Sequence, residues 1–206
     1  MTVPSKPPGP ASLDVVYKLG GSLLEWGELP AMLDRVLTRE SPHTRTAIVV
    51  GGGAAADAVR RWDMAHRLEA TSAHGLAIAA MDFNARLVRE LLRRLECDVV
   101  TRPHELRTGG ILIPEMDAEL DRAGSDVPHP SWDITSDSLA AWLAQRLGAK
   151  RVVLLKSTDP PGDCRLSTAT VRQVIDPCFT QLSAGLEVEW INLRGGAVPT
   201  AVRLVP

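Results

Sequence analysis

The chain of 206 residues is poor in the features that assign a protein at a glance. Cysteine is scarce. Cys97, Cys164 and Cys178 are far apart and odd in number, which argues against a disulfide scaffold and a local metal knuckle and fits a reducing cytoplasm. No uncharged apolar run approaches the roughly 20 residues needed to cross a bilayer. The Pro- and Ser-rich start, residues 1–10, lacks the apolar stretch of a secretory signal. An excess of one charge is also missing: the net charge is -2, so no broad nucleic-acid or membrane surface is expected and any anion site must be local. No Gly-x4-Gly-Lys-[Ser/Thr] occurs, which excludes a P-loop. The first glycine turn lacks Gly-x-Gly-x-x-Gly spacing, which argues against a dinucleotide-dependent oxidoreductase.

What is present is an ordinary globular balance, 45% hydrophobic and 23% charged, enough for one sizeable core. Residues 1–12, with Pro4, Pro7, Pro8 and Pro10, are expected to form a flexible arm, and 13–206 a single domain. Short apolar runs alternate with helical patterns. Strands are expected at 13–19, 46–50, 97–100, 110–114, 151–155, 187–191 and 201–205. Helices are expected at about 29–39, 54–68, 74–95, 115–122, 136–147 and 168–182, with Pro177 kinking or ending the last. This spacing predicts an α/β fold, a three-layer α/β/α sandwich with a largely parallel central sheet. The stretch from His104 to Trp132 is the candidate flap or partner edge.

Three places carry chemistry. The strand Val15–Leu19 contains Lys18 and runs into Gly20, Gly21 and Ser22. Glycines let a polyphosphate approach the backbone N–H groups, the lysine brings a mobile charge, and the serine adds a donor. The strand at 46–50 repeats the theme, leading through Gly51, Gly52 and Gly53 into a helix whose free N–H groups favour an anion. Tight turns with close helix–strand packing explain the same glycines equally well. Asp133-Ile134-Thr135-Ser136-Asp137-Ser138 opens a helix. Thr135 or Asp133 is a natural N-cap and Asp137 a first-turn acid, but capping alone does not account for five small polar residues in six. Lys156 ends the apolar strand at 151–155, at the carboxyl edge where open α/β sheets bind ligands, although a plain surface lysine would read the same. On the helix at 74–95, His74, Asp82 and Asn84 are polar points. Periodicity reads Asp82 as exposed, with a buried partner for a base as the alternative. Arg86, Arg89, Arg93 and Arg94 read as a solvated face.

Taken together, Lys18-Leu19-Gly20-Gly21-Ser22, Gly51-Gly52-Gly53, Thr135-Ser136-Asp137-Ser138 and Leu154-Leu155-Lys156-Ser157-Thr158-Asp159 resemble the amino acid kinase superfamily over about residues 14–196. The short length, Ala80-Met81-Asp82 and the 133–138 block are most similar to a small branch whose archaeal members phosphorylate an aminomethylfuran methyl phosphate in methanofuran synthesis. Bacterial proteins of C1 metabolism are of similar type.

The resemblance implies an ATP-dependent transfer to a phosphate or carboxylate acceptor, with Mg2+ bridging the nucleotide phosphates. Lys18 would stabilise the transferring group, and Gly20, Gly21 and Ser22 would bind the β and γ phosphates. Gly51, Gly52 and Gly53 would line the acceptor side. Asp137 would hold the lysines, and Lys156 would act on the nucleotide side. Ser157, Thr158 and Asp159 would lie in the nucleotide loop, and His74, Asp82, Asp133 and Thr135 would meet the acceptor. It also implies a homo-oligomer with a small-molecule partner.

Two departures stand out. Pro160-Pro161-Gly162 replaces the Val-Asp-Gly of many relatives. Only Arg194-Gly195-Gly196 lies where many relatives carry a further lysine, for which Lys156 is the expected substitute. These departures keep a second reading open: a non-catalytic nucleotide or oxyanion binder on the same fold.

Overall fold

A computed structural model describes residues 12–196 and 199–206. The expected arm at 1–12 therefore lies, apart from Ser12, outside the described residues. Seven strands form one sheet in the order β3-β4-β2-β1-β5-β6-β7. They are β1 (Val15–Leu19), β2 (Thr46–Val50), β3 (Val99–Val100), β4 (Ile111–Leu112), β5 (Arg151–Lys156), β6 (Glu187–Asn192) and β7 (Ala201–Leu204). Every pairing is parallel except β6 with β7. The central strands are apolar on both faces, as parallel strands covered on both sides must be.

Side chains alternate across the sheet, so each strand feeds two cores. Val16, Val49, Val152 and Leu154 pack with α5 (Ser136–Arg146) and with Ile78 and Met81 of α3 (Ala70–Arg93). Tyr17, Leu19, Ile48, Val50, Val153 and Leu155 pack with α1 (Leu29–Leu37) and with Ala85, Val88 and Leu92 of α3. The expected three-layer sandwich is observed. In β1 the alternation puts Lys18 on the same face as Val16, beneath α5. In β5 it puts Lys156 on that face too, with Val152 and Leu154.

Some local expectations differ. The helix α2 (Gly53–His66) closes at Arg67, whose φ of 52° is left-handed, and α3 starts at Ala70 rather than His74. The helix expected over 168–182 is two short ones, α6 (Leu166–Val171) and α7 (Phe179–Leu182). Between them Gln173 takes a φ of 56° and Pro177 has no N–H to continue a helix. Arg89 is not on a solvated face. It is buried, donates to the Ile113 carbonyl at 3.1 Å and pairs with Glu115 at 3.5 Å, which satisfies a backbone acceptor just past β4. The stretch from His104 to Trp132 contains β4 and α4 (Met116–Ala123) before the turns that end at Trp132. No described helix is long and apolar enough to cross a membrane.

Candidate functional site

The centre of the site follows from the alternation. Lys18 and Lys156 point to the α5 face at the carboxyl ends of neighbouring strands, and the first turn of α5 brings Asp137 between them. Lys18 Nζ lies 2.9 Å from Asp137 Oδ1. Lys156 Nζ lies 2.9 Å from both carboxylate oxygens and donates to the Val174 carbonyl at 2.8 Å. Lys18 and Asp137 are 6% and 4% exposed, so this is a desolvated cluster with two cations on one anion. Burial works to raise the Asp137 pKa, but the charges of Lys18 and then Lys156 outweigh it and hold the carboxyl below its usual range. Burial, reinforced by the Lys18 charge, lowers the Lys156 pKa from 10.5 to about 8 against the pull of Asp137. The Lys156 ammonium also lies 5.4 Å from the Trp190 ring centre. The cluster keeps one net positive charge at the strand ends, which suits an incoming phosphate.

The opening turn of α5 is fixed by a residue far along the chain. Thr135 is the N-cap, and its hydroxyl accepts from the Asp137 N–H at 3.4 Å. The buried Asp176 accepts from the Thr135 N–H (3.0 Å), the Thr135 hydroxyl (2.7 Å), the Ser138 N–H (3.0 Å), the Ser138 hydroxyl and the Cys178 N–H (3.1 Å). The segment from Val174 to Asp176 thus holds Lys156 with a carbonyl and the Asp137 turn with a carboxylate.

The two glycine turns meet backbone to backbone. A Cβ on Gly21 would lie 2.3 Å from the Gly53 nitrogen, and one on Gly51 would lie 2.9 Å from the Gly21 nitrogen. Gly53 also has a φ of 47°. Close packing is therefore one reason for these glycines. Ligand access is compatible with it, because the N–H groups of Gly21, Ser22, Gly52 and Gly53 donate to no other described residue. Asn84, buried on α3, donates to the Gly51 and Gly52 carbonyls at 2.8 Å each and pins the second turn.

On one side of this seam is a cavity. Its floor is Lys18, Gly21, Ser22 and Gly51 to Gly53, and its walls come from α2, α3, Trp132 and the start of α5. Ile78, Met81, Ile134 and Leu139 supply an apolar surface, and Asp57, Arg60 and His74 are its other ionisable groups. The Arg60 guanidinium lies 4.8 Å from the Trp132 ring centre, and the Trp132 N–H donates to Asp63 at 2.8 Å. Burial lowers the His74 pKa, partly offset by a hydrogen bond with the Ser131 backbone.

On the other side the strand ends form an open rim. The Ser22 and Ser157 hydroxyls are 3.0 Å apart. The Thr158 carbonyl accepts from the Trp190 N–H at 2.8 Å, and Asp159 accepts from Asn192 at 2.9 Å. Arg194 donates to the Ser22 carbonyl at 3.2 Å and lies 5.5 Å from the Trp26 ring centre.

The residues singled out from sequence thus divide. Lys18, Asp137 and Lys156 come together. Gly51, Gly52, Gly53, His74 and Thr135 line the cavity, Gly21 and Ser22 lie at the seam, and Ser157 to Asp159 lie on the rim. Gly20 packs against the Leu155 carbonyl, to which its N–H donates at 2.8 Å. Two residues lie outside. Asp82 does not line the cavity; its carboxylate accepts from the N–H groups of Met116 and Asp117 at 2.6 and 3.2 Å and caps α4. Asp133 is exposed and does not line the cavity either. Conversely, Arg60, Trp132 and Asp176 make contacts here that their local sequence does not signal. Among the described residues no group of three or more His, Cys, Asp or Glu could hold a metal ion.

Comparison with known proteins bears on the family and the fold. The chain is 27% identical over 147 residues to the [5-(aminomethyl)furan-3-yl]methyl phosphate kinase of Methanocaldococcus jannaschii, a match over 70% of this chain and 66% of that protein. Among solved structures it is similar to uridylate kinase from Archaeoglobus fulgidus (TM-score 0.62, 18% identity, 92% of this chain and 99% of that one). It is also similar to aspartate kinase from Synechocystis (TM-score 0.60, 14% identity, 93% of this chain and 40% of that one). Residues 15–176 match the model of the amino acid kinase family, and the chain belongs to that family.

Proposed function

We propose that this chain is a phosphotransferase that moves the γ-phosphoryl group of MgATP to a small acceptor bearing a phosphate or carboxylate. The observation that carries this reading is the desolvated Asp137 shared by Lys18 and Lys156, placed where two glycine turns meet. A binder of anions needs cations, but it gains nothing from a carboxylate that fixes two of them. A transfer reaction does gain, because the charge must stay aimed at a group in flight between two sites.

In this reading the nucleotide lies along the rim of Ser22, Ser157, Asp159 and Arg194, and the acceptor enters the cavity. The acceptor oxygen attacks the γ-phosphorus, and the bond to the β–γ bridging oxygen breaks in line. Lys18, at the seam, offsets charge on the equatorial oxygens, and Gly21, Gly52 and Gly53, whose N–H groups donate to no other described residue, line the same cavity. Lys156 neutralises the departing diphosphate. An acceptor that is already an anion needs no general base. Mg2+ arrives with the nucleotide as part of the substrate; the described carboxylates build no site of their own for it.

For the acceptor, [5-(aminomethyl)furan-3-yl]methyl phosphate is the leading candidate. It is the substrate in the name of the archaeal relative, of which this chain covers 66%. Purified protein with MgATP and a panel of phosphorylated and carboxylated small molecules should release ADP only when an acceptor is present. Lys18→Ala should reduce that release by about a hundredfold or more. Failure of every acceptor to elicit ADP, or full activity in Lys18→Ala, overturns the reading.

A further inference from the structure

Asp137 is gripped from outside its own helix. Thr135 and Ser138, which stand on either side of it at the start of α5, each give Asp176 both a backbone N–H and a hydroxyl. Thr135 by itself is a weak cap, since its hydroxyl lies 3.4 Å from the Asp137 nitrogen. Asp176 accepts at both oxygens. Oδ2 takes the Thr135 N–H, the Thr135 hydroxyl and the Ser138 N–H, and Oδ1 takes the Ser138 hydroxyl and the Cys178 N–H. Each oxygen thus faces a backbone N–H, which can only donate, so a carboxylate fits here and an amide does not. The segment that carries Asp176 is itself anchored. Ile175 is buried in the core, the Val174 N–H donates to the Ala169 carbonyl at 3.1 Å, and Pro177 follows with its fixed φ. Two residues before Asp176, the Val174 carbonyl accepts from Lys156 at 2.8 Å. With both Asp137 oxygens this occupies the N–H donors of the ammonium. Lys18, by contrast, lines the cavity and pairs with Asp137 Oδ1.

We infer that Asp176 is a positioning residue for phosphoryl transfer: it locks the Asp137 turn to the segment that holds Lys156, so that the carboxylate between the two lysines keeps one place through the reaction. Asp176 is buried and does not line the cavity, so it acts through Asp137 and not on a substrate. The need comes from the forces within the cluster. In the free protein Asp137 is drawn to both lysines. Once phosphates arrive, the lysines are drawn to the phosphates as well. A carboxylate on one weakly capped turn would follow them; one tied on both sides to an anchored segment stays. The transition state gains from charge that is already in place, whereas ground-state binding of nucleotide or acceptor gains little. The effect on rate rests on the phosphotransfer reading. The effect on Lys156 does not depend on turnover.

The test has a kinetic and a nucleotide-free arm. With MgATP and [5-(aminomethyl)furan-3-yl]methyl phosphate, Asp176→Asn should lower kcat by about ten- to a hundredfold and leave both KM values within about twofold of the wild type. Ser138→Ala removes a single bond to Asp176 and keeps the test open if Asp176→Asn does not fold. It should lower kcat by about two- to fivefold with the same KM pattern. Arg89→Met is the control: it breaks a buried contact that satisfies the Ile113 carbonyl, so it should lose stability in urea and keep the wild-type kcat. For the second arm, Lys6, Lys18, Lys150 and Lys156 are the lysines of the sequence, so an NMR titration of isotope-labelled lysines has few signals and Lys156→Arg assigns the one at issue. The groups around Lys156 are Lys18 from β1, Asp137 from α5, the Val174 carbonyl and the Trp190 ring of β6, and burial is the largest influence on its midpoint of about 8. Loosening the turn admits water, so the midpoint should rise by about one pH unit in Asp176→Asn and stay in place in Arg89→Met. Unchanged kcat in both Asp176→Asn and Ser138→Ala, an equal loss in Arg89→Met, a rise in KM in place of the fall in kcat, or an unmoved Lys156 midpoint would each overturn the inference. If the wild type releases no ADP with any acceptor, the phosphotransfer reading falls, and the Lys156 midpoint alone decides whether Asp176 holds the cluster.

Discussion

The two sides of Lys18 are built differently. The proposed acceptor side is a walled cavity with apolar, aromatic and charged surfaces drawn from α2, α3, α5 and the Trp132 turn. The proposed nucleotide side is a rim of strand ends, where serines, main-chain carbonyls and a single arginine meet. A cavity discriminates by shape and charge, whereas a rim of small polar groups holds a polyphosphate by its oxygens. In the proposed reading, selectivity is therefore concentrated in the cavity, and the rim contributes position and charge.

Asp137 belongs to both sides, so removing it should have the largest effect and should blur the contrast. Asp137→Ala leaves Lys18 and Lys156 facing each other without a counter-ion. The transfer rate should fall by about a hundredfold to a thousandfold, and urea denaturation should show a loss of roughly 3–5 kcal/mol. A variant with normal stability and rate would mean that the carboxylate organises neither side.

The next effect is one of pH and separates the lysines. With the Lys156 pKa near 8, the free enzyme loses that cation on the alkaline side. Its kcat/KM for nucleotide should fall about tenfold per pH unit above about 8, and Lys156→Arg should move that limb to higher pH. Stability should run the other way. The folded pKa lies below the ordinary 10.5, so the unfolded chain binds more protons between the two values. The stabilising contribution is complete above about pH 10.5 and is lost as the pH falls through about 8. Alkaline inactivation should thus occur without unfolding, which circular dichroism across the same range would check.

The smallest effect should sharpen the comparison. Arg194→Ala removes an exposed side chain that does not line the cavity and reaches it only through the Ser22 carbonyl. The KM for nucleotide should rise about two- to fivefold, consistent with one exposed cation, and the KM for acceptor should not change. An equal rise in both would mean that the rim and the cavity are not independent.

What could be read from the sequence was what is local in sequence. Lys18 and Lys156 each interrupt an apolar strand, and a break in a run is visible wherever it falls. The same applies to the glycine turns and to the polar block before α5. The residues that escaped are those whose role arises from distant packing. Asp176 lies in Ile175-Asp176-Pro177, an unremarkable turn, and acquires its partners only when α5 docks beside it. Arg60 looks like any solvated helical residue until the Trp132 ring comes beside its guanidinium. Asp82 and Arg89 fail in the opposite sense. Both stand out on an otherwise apolar helix, but one caps α4 and the other satisfies a carbonyl, which are needs of architecture. Alternation groups Lys18 with Val16 and Lys156 with Leu154, but that the two lysines share one face depends on the β1–β5 register.

The contact between Gly21 and Gly53 makes the donor and acceptor walls share a main-chain joint. Such a joint behaves as a ruler. The span that a phosphoryl group must cross is set by peptide geometry, which does not adapt to the length of whatever occupies either side. Substrates must come to that gauge, and a longer or bulkier acceptor can be accommodated only by reshaping the far wall at Trp132. Evolution toward new acceptors should therefore leave the joint alone and work on the helix faces and turn opposite it.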